Sequence, residues 1–287
     1  LGVIMIFFGL AFEMSAAPFH AWAPNAYQGA PTPISALLAG ASKKMAFAAA
    51  FKILSIVITI FKVELGVIIA LLAILSMIVG NILALGQKDV KRMLAYSSIA
   101  QVGYILASIA IFTPFGIAYA LYYILVHAFM KCGAFIAAAS AYFSSNGKIK
   151  EYDDYKGLYR KMPLTSLFMA GFLFSLAGIV PFGGFTAKIL ILIEIFIEYI
   201  KGSIIALILG LTMIITSVIS LYYYGRLIKY MWFVESNNEN NEHKVEKLKE
   251  NLTFVIPMAI AFIALLIMFY PTPFVDIGIE IAKNLGF

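Results

Sequence analysis

The chain runs to 287 residues, 62% of them hydrophobic and only 13% charged. Soluble domains carry about 25% charged residues, so composition excludes a soluble enzyme and predicts an all-α, polytopic protein embedded in the lipid bilayer. The formal net charge of +6 sits mainly in a few loops, where it reports membrane orientation rather than a nucleic-acid partner.

Apolar runs long enough to span, about 20 residues each, fall at 1–17, 33–60, 65–86, 91–112, 114–142, 163–200, 203–231 and 251–270. They predict about eight transmembrane helices in a single transmembrane domain, residues 1–287. The first run opens at Leu1 with no charged n-region and no small-residue cleavage site. It is therefore not a signal peptide, and the chain reads as one that starts mid-protein.

Two Gly/Pro breaks are expected. The first follows the first span, where PFHAWAPNAYQGAPTP at 18–33 packs four prolines between two helices; proline removes a backbone donor and disfavours helix before it. The second interrupts the sixth span at Gly178, Pro181, Gly183 and Gly184. Unwound backbone at membrane depth survives only inside protein or beside a wet cavity, and interrupted helices point to the ion site in transporters.

The loops sort by charge. Those at 86–92, 143–162 and 226–250 hold thirteen Lys and Arg, and the opposite side holds three, Lys62, Lys201 and Lys283. The positive-inside rule puts the three basic loops on the cytoplasmic side; the plasma membrane of a prokaryote is the expected location. The stretch 235–250, ESNNENNEHKVEKLKE, reads as a polar cytoplasmic loop.

Within the spans lie Glu13, Lys43, Lys44, Lys131 and Lys188. A charge at the bilayer centre costs roughly 2.5–3.5 kcal/mol on insertion scales, and such residues usually serve ion or proton pathways. Lys43 and Lys44 sit among small residues that leave little room to snorkel; desolvation favours the neutral form of an amine and suits it to proton exchange. The bland alternative is that one of the two snorkels to an interface. Glu13, five residues before Pro18, needs a basic partner, and Lys43 or Lys44 on the next helix is the natural one. His127 and Lys131 are four apart and share a helix face with Tyr123, a spacing that suits a relay; a packing histidine is the alternative. Lys188 follows the glycine-rich break, with Glu194 and Glu198 beyond it toward the outer end, either as an exit path or as a solvated helix end near Lys201. His20 is a weaker candidate. The single Cys132 and the scattered His20, His127 and His243 suggest no metal or iron–sulfur site, and no Rossmann, P-loop or nucleophile-elbow motif is present. No cofactor is expected in this chain.

Three stretches carry a resemblance: APFHAWAPNAYQGAPTPISALLAGASK, GNILALGQKDVKRMLAYSSIAQVGYIL and SLAGIVPFGGFTAK. In this order they resemble the antiporter-like subunits of respiratory complex I and the related multi-subunit cation/proton antiporters, and YQGAPTP at 27–33 is most similar to subunit N. The resemblance implies the C-terminal portion of the family fold, helices seven to fourteen, and two inverted repeats, each with a broken helix and its own half-channel. It matches Lys43 to the family's central lysine, Lys188 to the exit-side lysine, and His127 and Lys131 to positions of the eleventh helix. It implies proton translocation as a subunit of an NADH:quinone oxidoreductase, with other membrane-arm subunits as partners and flavin, iron–sulfur clusters and quinone in partner subunits. A sodium/proton antiporter or membrane-bound hydrogenase subunit, and a non-pumping structural subunit, are the alternatives. Two departures stand out: Glu13 where the family usually has lysine, and the additional Lys44.

Overall fold

A computed structural model describes residues 2–235 and 248–287, without the side chains of 58–62. Residues 236–247 of the polar loop expected at 235–250 therefore lie outside the described residues. Twelve α-helices follow in order among the described residues: α1 (Gly2–Met14), α2 (Trp22–Gly29), α3 (Thr32–Leu37), α4 (Lys43–Leu85), α5 (Val90–Ile109), α6 (Pro114–Ser144), α7 (Leu158–Lys161), α8 (Pro163–Ala177), α9 (Gly183–Ile200), α10 (Ile204–Phe233), α11 (Leu252–Ile267) and α12 (Thr272–Asn284). A π-helical turn, Leu38–Ser42, joins α3 to α4, and a 3₁₀ turn, Tyr152–Tyr155, precedes α7.

The expected count of eight spans is corrected. Among the described residues four stretches are long and apolar enough to cross a membrane: Thr32–Val57, Val63–Leu85, Pro114–Ser144 and Ile204–Phe233. The α11–α12 pair, bent by 79°, adds a fifth if taken as one broken span. Each missing span has a physical reason. The first run yields only the 13-residue α1. The run at 91–112 becomes α5, whose Lys91, Arg92, Ser97, Ser98 and Gln101 dilute its apolar character. The run at 163–200 divides into the 15-residue α8 and an α9 that carries Lys188, Glu194 and Glu198. The amphipathic α12 lies beyond the last apolar run and was not anticipated.

The backbone is helical on both sides of the junction between the second and third runs, from Lys43 to Leu85, and the two apolar spans divide there, Thr32–Val57 and Val63–Leu85. The stretch 57–66, VITIFKVELG, holds no proline and its one glycine only at the end, so nothing in it removes a donor. Yet Lys43, at one end of α4, bonds Ser98, and Asn81, at the other, bonds Tyr104. Ser98 and Tyr104 are about 9 Å apart along α5 at 1.5 Å per residue, so the two halves of α4 lie side by side.

Helix α5 is the centre of the packing. From Ser97 to Ile109 every residue is buried. Its seam with α4 is closed by glycine: a Cβ on Gly80 would lie 2.4 Å from the Ala100 nitrogen, and one on Gly103 would lie 2.7 Å from the Met77 nitrogen. Small residues that let backbones approach are how membrane helices gain packing energy. Capping fixes the helix ends. Asp89 accepts from the Arg92 N–H at 2.8 Å to start α5, and Thr113 accepts from Gly116 N–H at 2.9 Å to start α6, with Pro114 in the first turn.

Two of the basic segments meet at one end. Val90 N–H donates to Lys150 O at 3.0 Å and Tyr152 N–H to Lys88 O at 3.1 Å. The Arg226 guanidinium of α10 stacks on the Tyr152 ring at 4.6 Å, so the start of the third basic segment joins them.

Candidate functional site

The chain leaves helix at 15–21 and at 178–182, and the buried charges gather near those breaks and near the π turn. Among the described residues five lysine, histidine or carboxylate side chains are almost wholly withdrawn from solvent: Lys43 at 1% exposure, His127 at 1%, Lys131 at 0%, Lys188 at 5% and Glu194 at 5%. Buried charges persist only when hydrogen-bonded or paired, so their partners define what the site can do.

Lys43 begins α4 directly after the π turn, where an extra residue re-aims the side chains that follow. Its Nζ donates to Ser98 Oγ at 3.3 Å and lies 5.2 Å from the Tyr27 ring centre. Lys44, half-buried, turns the other way: its Nζ donates to Ala39 O at 2.9 Å and lies 2.7 Å from Nδ1 of His127. The question of which lysine faces inward thus has a two-sided answer, Lys43 toward α5 and Lys44 toward α6. The Nε2 of His127 is buried without a partner. Lys131, one turn along α6, donates to Leu94 O at 2.9 Å and to Ser97 Oγ.

From this cluster a polar stripe runs along α5 toward the second break. Gln101 accepts from the Tyr123 hydroxyl; its Nε2 donates to Tyr224 Oη at 3.3 Å and to Leu176 O at 3.1 Å. Leu176 O also accepts from Lys188 Nζ at 2.9 Å, and Ala177 O accepts from it at 3.2 Å. The logic is local. The last carbonyls of a helix lack intrahelical donors and carry partial negative charge. Gly178, at φ +86°, ends α8 in the left-handed conformation, which leaves Leu176 and Ala177 open to the ammonium. Gly184 lets α9 approach, since a Cβ there would lie 1.9 Å from Ser175 O. Lys188 also lies 5.0 Å from the Tyr104 ring centre, and Tyr104 continues the polar contacts to Thr216 at 3.3 Å.

Other expected residues fall as follows. Glu13 accepts from Ser42 Oγ at 3.1 Å and, among the described residues, forms no ion pair with Lys43 or Lys44. Glu194 accepts from the Thr113 hydroxyl at 2.6 Å. Glu198 pairs with Lys201 at 2.6 Å, the helix-end geometry of the alternative reading. His20 keeps a buried Nδ1 without a partner and makes no contact with the lysine cluster. Ser97, Ser98, Gln101 and Tyr104 were not singled out from the sequence. The signal was present: polar residues at 97, 101, 104 and 108 of an apolar helix follow one helical face.

The sequence falls in a known group. The family described as NADH:quinone oxidoreductase/Mrp antiporter, transmembrane, matches residues 1–216. The chain belongs to this family. It is a multi-pass membrane protein of the antiporter type. It is 40% identical to the F420H2 dehydrogenase subunit N of Methanosarcina mazei, over 99% of this chain and 57% of the relative. It is 37% identical to the NADH-quinone oxidoreductase subunit N of Moorella thermoacetica, over 98% of this chain and 57% of the relative. Among solved structures, a chain of the membrane-bound sulfane sulfur reductase, an archaeal respiratory membrane complex, superposes with a TM-score of 0.84 at 30% identity, covering 99% of this chain and 55% of that one. The antiporter-like chain thus spans little more than half the length of these relatives. The matches cover nearly all of it and do not bear out its assignment to helices seven to fourteen.

Proposed function

We propose that this chain is a proton-translocating, antiporter-like subunit of a complex I-type quinone oxidoreductase, most like subunit N, which couples electron transfer in partner subunits to proton export. The observation that carries the proposal is the gathering of proton-exchanging groups along α5: the Lys44–His127 contact, Lys43 on Ser98, Lys131 on Ser97, and Gln101 and Lys188 meeting at the Leu176 carbonyl. Proton-exchanging side chains spaced in this way along one buried helix, with water joining them, are what a relay requires. Glu194, held by Thr113 further along α9, is the exit-side group in this reading. The chain carries no cofactor of its own in this reading; flavin, iron–sulfur clusters and quinone belong to partner subunits. The basic loops at 86–92, 143–162 and 226–250 face the cytoplasm of a prokaryotic plasma membrane, as their charge directs.

The test is proton uptake into inverted membrane vesicles carrying the assembled complex, wild type against Lys188→Ala, with quinone reduction followed in parallel. Loss of both activities in an assembled complex supports the reading. Wild-type levels of both make this subunit scaffold. Uptake that needs sodium moves the chain to the sodium/proton antiporter class.

A further inference from the structure

A cleft of about 530 Å³ opens at the basic-loop end, lined among others by Gln28, Thr32, Lys91, Ala138 and Tyr142. Three helices run from its walls down to the lysine cluster. Thr32 precedes Lys43 by eleven residues, Tyr142 follows Lys131 by eleven, and Lys91 precedes Ser98 by seven. At 1.5 Å per residue these place the cleft about 10–16 Å above the cluster on all three helices. Two rings stand between. Tyr27, adjacent to Gln28, and Phe135, one turn before Ala138, meet edge to face with centres 5.9 Å apart. Both are fully buried, and Lys43 Nζ lies 5.2 Å from the Tyr27 ring centre. The Tyr27 hydroxyl is buried without a hydrogen-bond partner. A buried hydroxyl left unpaired costs about 1–3 kcal/mol, and a water usually satisfies such a group. The segment bearing Tyr27 is tied down from the cleft side: Lys91 Nζ donates to Gln28 O at 3.1 Å and Ala30 O at 2.7 Å, and the Arg92 guanidinium donates to Gln28 Oε1 at 2.9 Å.

We propose that this cleft is the vestibule through which water and protons reach the lysine cluster, and that the Tyr27–Phe135 ring pair is the barrier between them. The Tyr27 hydroxyl is the anchoring point of the water file when the rings part: it donates its proton to a water on one side as it accepts one from the other, so that one O–H bond forms for each that breaks. Lys91 and Arg92 are positioning residues that hold the Tyr27 segment over the cluster.

The inference rests on the proton-translocation reading, but thiol accessibility tests it without any pumping assay. In the assembled complex with Cys132→Ser, Ala138→Cys on the cleft wall and Ser98→Cys at the cluster are exposed to a charged, membrane-impermeant thiol reagent from either face of sealed vesicles. Ala138→Cys is expected to react from the basic-loop face only. Ser98→Cys is expected to be protected, and to react at least tenfold faster from that face when Tyr27→Ala is added. Equal Ser98→Cys rates with and without Tyr27→Ala, or Ala138→Cys labelling from the opposite face, would overturn the proposal. Tyr27→Phe, which keeps the ring and the packing, is the second arm: proton uptake should fall severalfold with labelling still blocked, and unchanged uptake would remove the hydroxyl from the path. If labelling follows expectation while Lys188→Ala leaves pumping intact, the vestibule stands and the pumping reading fails on its own.

Discussion

The Nζ of Lys44 lies 2.7 Å from Nδ1 of His127, inside the helix bundle. One of two basic nitrogens at that distance must accept, so the contact is a hydrogen bond only when the pair carries at most one positive charge. Lys43 and Lys131 are the nearest further cations, and neither has a carboxylate in contact among the described residues. The pair is therefore one proton-holding unit rather than two. Lys44→Met and His127→Gln are each expected to lower proton uptake by about tenfold or more, within the range for losing a proton-transfer group. The double variant should be no worse than the poorer single, because groups that act as a unit are non-additive. Uptake measured in inverted vesicles decides it: multiplying losses would mean two independent roles.

Gln101 is the bridge between the two halves of the series. It alone touches Tyr123 of α6, Tyr224 of α10 and the Leu176 carbonyl that also holds Lys188. Gln101→Leu keeps the volume and removes the bridge. It leaves two buried tyrosine hydroxyls short of a partner, at about 1–3 kcal/mol each. The expected result is an assembled complex with a lower melting temperature and proton uptake reduced about tenfold. A melting shift without loss of uptake would make Gln101 a packing residue only.

Much of this site was legible in the residues because a lysine in an apolar run is conspicuous. Lys43, Lys131 and Lys188 stand out by charge, and the glycines of GIVPFGGFTAK mark the unwound carbonyls that receive Lys188. The α5 bridge was harder to see. Serine, glutamine and tyrosine occur in many membrane helices, and only their shared face distinguishes them. The hydrogen-bond partner of Glu13 is not legible, because chain distance cannot show that the π turn brings Ser42 to its carboxylate. The span count failed where apolar length and helical structure part company: α5 is helical but too polar, α8 is short, α9 carries three charged residues, and α12 alternates charge with apolar residues.

The second break depends on backbone contact that no side chain tolerates. A Cβ at Gly184 would lie 1.9 Å from Ser175 O and 2.7 Å from its carbonyl carbon, both backbone atoms that cannot rotate away. Overpacking of this kind costs about 1–3 kcal/mol or more. Gly184→Ala should separate α9 from α8, displace Lys188 from Leu176 and Ala177, and reduce both assembled complex and thermal stability in detergent. Gly225→Ala, on α10 with nothing within 4 Å, is the control expected to leave assembly unchanged. Equal stability of the two variants would show that the break is not held by this approach.

Among the described residues Glu13 meets the cluster through the hydroxyl of Ser42, which donates to it at 3.1 Å immediately before Lys43. Two roles are separable there. If Glu13 acts by charge on Lys43, then Glu13→Gln, which keeps an acceptor for Ser42, should reduce proton uptake severalfold. Ser42→Ala, which keeps the charge and removes the contact, should then leave uptake within about twofold of wild type, since one partly buried hydrogen bond contributes only about 0.5–1.5 kcal/mol. If Glu13 instead holds the π turn in place, the order reverses. Ser42→Ala would cost activity and stability together, and Glu13→Gln would be nearly silent. Glu13 is half-buried, with Ser42 as its hydrogen-bond donor, and a carboxyl group partly withdrawn from water is costly to keep without a function. A carboxylate retained there for its charge is the simpler account, and the uptake of these two variants, measured in one vesicle preparation with complex content matched by antibody, distinguishes the roles.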